Sequence, residues 1–209
     1  MKKLHSAFTS FPWRRVFALL CGGLICVTLW AEAEQTELAG KVIRLHVLAN
    51  SDSQADQDLK LQVRDRILEQ TAELLDGREN AQEAEAILAA NLQPLAQAAY
   101  DEIVAQGYDY PVRVSLEDTW FPTRQYENVS LPAGTYRALR VVIGEGEGHN
   151  WWCVLFPSLC LSAVTESSVT AAGLSGQDYA LLTGESQPYV VKFKAVELWE
   201  NCKHWLAER

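Results

Sequence analysis

Cysteine, histidine, carboxylates and a glycine-rich run, the side chains and backbone that catalysis or ligand binding would need, lie mostly around two strand-like segments, 42–49 and 151–156. The run Gly144-Glu145-Gly146-Glu147-Gly148 has glycines spaced as in a phosphate cradle. Such a cradle needs backbone amides at a helix N-terminus and no anionic side chains beside them. Two glutamates stand inside this run and an apolar stretch follows it, so the glycines are read as turn residues that supply positive φ. Cys153, with His46 or His149 as its base, would make a thiol nucleophile. It alternates within an apolar strand, where burial raises a thiol pKa and blunts the thiol, and no Gly-x-Ser-x-Gly elbow occurs. His46 reads as a hydrogen-bonded structural histidine. Asp52, Asp56 and Asp58 resemble calcium ligands, but the central glycine and terminal bidentate glutamate of a calcium loop are missing. Helix capping explains these carboxylates better. Cys153 and Cys160 are too far apart for a zinc knuckle, and no paired histidines complete one. No metal and no cofactor is expected. Glu117 and Asp118, with Arg44 and His46, are the side chains that an exported hydrolase acting on cell-wall material would use. The plainer reading is a solvated pair at a strand end.

Recognition is the chemistry that remains. Residues 131–160 (LPAGTYRALRVVIGEGEGHNWWCVLFPSLC) combine a turn, a strand, an acidic glycine-rich loop, paired tryptophans and two of the five cysteines. Trp151 and Trp152 point to opposite faces of a strand, so at least one is core; the other is either core as well or an aromatic anchor for a protein partner. The candidate contact residues are Glu145, Glu147, His149, Asn150 and Trp152, with Trp120 and Phe121 from the Trp-Phe-Pro segment. In an oxidising compartment Cys153 and Cys160 can bridge, leaving Cys202 as a small apolar residue on a helix. Buried free thiols are the alternative.

Periodicity predicts the helices and strands that carry these residues. Residues 41–49 alternate, with Ile43, Leu45, Val47 and Ala49 facing one way, which predicts a strand with one face in the core. Asn50 to Ser53 breaks it, and Ser53 with Asp56 has the form of a helix start. Leu59, Val63, Ile67, Thr71 and Leu74 form one helical stripe that Gly77 stops. A second helical stretch spans 80–92. Pro94 suits the first turn of a fresh helix that ends at Gly107, so a break falls near Gln93. Residues 112–116 return to period two. Residues 136–143 and 151–156 read as strands joined by a hairpin with a long loop, the second of them central and covered on both faces. A short helix over 175–182 and an amphipathic stripe of Val191, Ala195, Leu198, Trp199, Cys202, Trp205 and Leu206 close the chain. The order of strand, helices, strands, helices predicts an α+β fold: a single mixed sheet with helices packed on it, preceded by an N-terminal export or anchor helix.

Composition bounds the function. At 209 residues, 48% apolar and 22% charged, the chain has globular make-up. Its net charge is -9, and Lys2, Lys3, Arg14 and Arg15 are the only formal charges before Glu32. The part beyond residue 31 is therefore more acidic still and would be repelled by a phosphate backbone, which argues against nucleic acid as a partner. Segment 16–31 (VFALLCGGLICVTLWA) carries no charge, follows basic residues and ends in small ones. That is the order of an export signal. It is short for a bilayer span of roughly 20 residues. Residues 1–33 are thus a signal peptide or a membrane anchor, 34–40 a stalk, and 41–209 an extracytoplasmic domain that meets the membrane only through that segment.

The runs VIRLHVLANSDS (42–53), DQDLKLQVRDRIL (56–68), VRVSLEDTWFPTR (112–124) and the 131–160 block resemble the stage II sporulation protein R family. The likeness covers 41–160 and the KFKAVELWE run at 192–200. It implies a signalling protein of endospore formation, made in the forespore and exported into the space between the two membranes. There it would trigger a membrane-embedded protease of aspartic type that processes a sigma-factor precursor. The family brings no catalytic residues to carry over, so the resemblance implies no enzyme, no cofactor and no small-molecule substrate.

Overall fold

The computed structural model describes residues 16–23, 26, 36–126, 129–157, 201 and 205. A helical turn at 36–39 leads into β1 (Ile43–Leu48). Three helices follow: α1 (Gln54–Leu75), α2 (Ala81–Ala90) and α3 (Leu92–Ala105). Then come β2 (Val112–Phe121), the short β3 (Arg124–Tyr126) and β4 (Val129–Leu131), β5 (Gly134–Ile143) and β6 (Asn150–Phe156). The fold is α+β with one mixed four-stranded sheet in the order β2-β5-β1-β6, and β3 and β4 form a separate two-stranded ribbon. β1 runs parallel to β5 and antiparallel to β6, while β2 and β5 are antiparallel.

Local signals set the helix ends. Ser53 caps α1, its side chain accepting from the Asp56 amide at 3.2 Å, and Asn80 caps α2 through the Glu83 amide at 2.8 Å. Each such cap satisfies an orphan donor of the first turn and is worth about 1 kcal/mol. Pro94 sits third in α3, where its missing N–H would have had no acceptor inside the helix. Asn91 separates α2 from α3, and its side-chain amide closes the carbonyl of Ile87 at 2.8 Å. Gly77 and Gly107 take positive φ, 70° and 85°, just past the ends of α1 and α3.

The main core lies between one sheet face and the helices. Leu45, Val47, Leu139, Val141 and Ile143 meet Leu59, Val63, Ile67, Leu88, Leu95 and Ile103. Each such side chain, withdrawn from water, contributes about 1.5–3 kcal/mol. Leu38, Val42, Phe121, Leu131, Tyr136, Ala138 and Val154 form a second cluster on the opposite face.

Three expectations about the sheet need correction. β1 is buried along its whole length, not on one face, because it is an inner strand and Arg44 and His46 are buried with it. β6, expected at the centre, is an edge strand among the described residues. Residues 144–149 do not close a hairpin. β5 and β6 flank β1, so the segment crosses over the end of β1. The hairpin is instead β2 with β5, paired over ten residues, with the β3–β4 ribbon at its tip. The helix readings at 175–182 and in the C-terminal stripe fall on residues outside the described ones, apart from helical Asn201 and Trp205. Residues 16–23 and 26 are helical, and among the described residues no helix is long and apolar enough to cross a membrane.

Candidate functional site

The crossover segment is held by its backbone and exposes its side chains. Gly144 donates its N–H to Pro111 O at 2.8 Å, Glu147 to Asn50 O at 3.2 Å, and Gly148 to Ala49 O at 2.9 Å. The Glu145 amide reaches the Asn50 side-chain oxygen at 3.1 Å. His149 donates its amide to Asp52 Oδ1 at 2.6 Å, and its ring nitrogen contacts the same oxygen. Lys60 Nζ donates to His149 O at 2.9 Å and to Gln57 at 2.6 Å. Every glycine in the run has a structural reason. Gly144 and Gly146 have φ of 58° and 70°, and a Cβ on Gly148 would stand 2.2 Å from Ser51 O. Glu145, Glu147, His149 and Asn150 face solvent.

The other half of this clamp is the turn after β1. Asp56 is buried, and it accepts from Asn50 Nδ2 at 3.0 Å, from Ser51 Oγ at 2.5 Å and from the Tyr110 hydroxyl. Burial pushes its carboxyl up, but the hydrogen bonds from Ser51, Asn50 and Tyr110 outweigh burial and hold it below its ordinary value. Burial and the negative charge of Asp56 push the Tyr110 hydroxyl up. Hydrogen bonds from His149 hold Asp52 below the usual carboxylate range. Burial lowers the Lys60 ammonium, which Asp52 partly offsets. The three aspartates read from the sequence as a helix-start group divide their work. Asp56 organises the turn, Asp52 grips the crossover, and Asp58 pairs with Gln54 at 2.8 Å.

On the face away from the helices, His46 Nε2 lies 2.9 Å from Asn150 Oδ1. Burial lowers its pKa, against the hydrogen bond it donates to Asn150, which raises it. Phe121 is fully buried, edge-on to Tyr136 with the Arg44 guanidinium 4.0 Å above its ring. It is a core residue and is withdrawn as a surface anchor. Trp120 is half-buried at the end of β2. The tryptophan pair does divide across β6. Trp151 packs toward the helix side under Arg64 at 4.2 Å, and Trp152 joins the other cluster under Arg124 at 4.3 Å. Each is half-buried with a cation over its ring.

The hydrolase constellation does not assemble. Glu117 pairs with Arg140 at 3.0 Å. Its neighbour Asp118 points through the sheet to the other face, 3.5 Å from Arg137, which also meets Glu85 at 2.7 Å. Successive strand residues face apart, so these carboxylates cannot converge on one bond. Cys153 is disulfide-bonded, which removes it as a nucleophile. Cys21 and Cys26 are free, and Cys160, the expected partner, lies outside the described residues.

Glu145, Glu147, His149 and Asn150, grouped from the sequence, are all exposed at the crossover. Sequence reasoning missed Asn50, Lys60 and Tyr110, which hold that surface in place. The Asn50-Ser51-Asp52-Ser53 run was the available signal: short polar side chains bond nearby backbone groups.

Comparison with known proteins places the chain. The family model described as stage II sporulation protein R matches residues 39–166, and the chain belongs to that family, which gives it a role in sporulation. The protein named stage II sporulation protein R of Bacillus subtilis (strain 168) is 34% identical over 150 residues, covering 69% of this chain and 67% of that one. No solved structure matches.

Proposed function

We propose that this chain is an exported signal between the two compartments of sporulation and acts by contact. Its partner is a membrane-embedded protease of aspartic type, which it switches on so that a sigma-factor precursor is processed. It reaches that partner from the intermembrane space, secreted or held by its N-terminal segment.

The observation that carries this reading is the crossover segment. Its backbone is tied to Ala49, Asn50, Asp52 and Lys60, while Glu145, Glu147 and His149 remain exposed. A surface fixed before binding loses little freedom on docking. A ligand shifts a receptor only by its differential affinity for the active state, and fixed charges on a rigid loop are suited to supply one. The disulfide at Cys153 supports a location outside the reducing cytosol. Sporulating cells that lack their own copy and express this chain test the reading. Precursor cleavage should return with the wild-type chain; no return, with the chain exported normally, would contradict it.

A further inference from the structure

One edge of the sheet offers a different kind of contact. β2 is an outer strand among the described residues, and it contains no lysine or proline over ten residues. Its register with β5 runs unbroken from Val112↔Ile143 to Phe121↔Gly134. Natural sheets usually blunt such an edge with charge, proline or a bulge; β2 has neither proline nor bulge, and two of its three charges, Glu117 and Asp118, are paired with Arg140 and Arg137. The bond from Gly144 N to Pro111 O fixes the phase of the ladder. In an antiparallel pair alternate residues bond the neighbouring strand, and those between them turn N–H and C=O away from it. Arg113, Ser115 and Glu117 therefore bond β5, while Val112, Val114 and Leu116 direct their main-chain groups outward. Beside them runs an open groove of about 590 Å³. One wall is apolar, with Leu92 and Ala96 of α3 beside Val112 and Val114; the other carries Arg113 and the Arg140–Glu117 pair. Glu145 and Gly146 close its end, so the groove is continuous with the crossover segment.

We propose that this edge is a strand-addition site, where an extended segment of the protein partner pairs with residues 112–117. That segment alternates apolar side chains, set against Leu92, Ala96 and Val114, with polar ones that include an acid opposite Arg113. Strand addition draws affinity from main-chain hydrogen bonds and specificity from alternate side chains. Six paired residues bury far less than the roughly 1,200 Å² of a stable interface, so the edge fits a segment of a partner already held by the crossover surface better than a second copy. The inference deepens the function proposed above and rests on it.

Full-length chains carrying Val114→Pro, Val114→Ala or Arg113→Glu, each replacing the native copy in sporulating cells, test it. Proline removes an outward N–H for which the described residues hold no acceptor, a change that an edge strand tolerates. Alanine trims the same side chain and keeps that N–H. The readouts are precursor cleavage, exported level and melting temperature. At equal export the proline variant should fall about tenfold below the alanine variant, the scale of one lost hydrogen bond. Arg113→Glu, altered only on the exposed side, should fall comparably. Should proline unfold the chain, Arg113→Glu decides alone. Cleavage at the alanine level by both variants would overturn the edge assignment and leave the functional reading standing. No cleavage with the wild-type chain would overturn the functional reading itself. A concentration-dependent dimer in sedimentation, abolished by Val114→Pro, would give the edge to a second copy and overturn the proposal.

Discussion

The crossover segment and the β2 edge lie at the same end of one sheet and use their chemistry in opposite ways. In the crossover the backbone amides are committed inward, to Ala49, Asn50 and Asp52, and charged side chains are left in water. Along β2 the side chains of Val112, Val114 and Leu116 pack against the core, and among the described residues half of the main-chain groups have no neighbouring strand. One region can recognise through charge and shape, the other through hydrogen-bond register. A small domain can thus offer two modes of contact, because sheet geometry decides which groups each segment has left over.

Expelling the crossover from its seat at the end of β1 should have the largest effect. Gly148→Ala places a methyl group against the Ser51 carbonyl, 2.2 Å from the added carbon. It should cost about 3 kcal/mol, the upper range for overpacking, read as a lowered melting temperature. Asp56→Ala strips the acceptor from Asn50, Ser51 and Tyr110 and should cost about 2–3 kcal/mol, read by denaturant unfolding. β2 should be insensitive by contrast. Glu117→Gln weakens a half-exposed pair with Arg140 and should change stability by less than about 1 kcal/mol.

His46 adds a smaller, pH-dependent effect. Its folded pKa lies below the ordinary 6.5, so the unfolded chain binds the proton more readily. The stability it contributes is complete above about pH 6.5 and is lost as pH falls toward the folded value. Melting temperatures at pH 7.5 and 5.5 should fall further for the wild type than for His46→Gln.

The helices were legible because their signals are local. The Leu59-Val63-Ile67-Thr71 stripe, the caps Ser53 and Asn80, and the stops Gly77 and Gly107 all lie within a few residues of what they control. Strand order was not legible. Period two says which side chains share a face and nothing about which strand is the neighbour, so the crossover was read as a hairpin. Arg44 and His46 made β1 look one-sided. They are buried because Phe121 and Tyr136 stack on one and Asn150 bonds the other, partners that lie far along the chain. The exposed half of the candidate site could be read from its acids and glycines. Its anchors could not, since Asn50 and Asp52 meet Glu145 and His149 across separations of 95 and 97 residues.

The most direct measurement is precursor cleavage in sporulating cells whose own copy is replaced by the chain carrying Glu145→Lys and Glu147→Lys together. Both side chains are exposed, and neither takes part in the hydrogen bonds that hold the crossover. At normal export and melting temperature, contact through this surface predicts that cleavage is lost. Cleavage at the wild-type level would contradict the account.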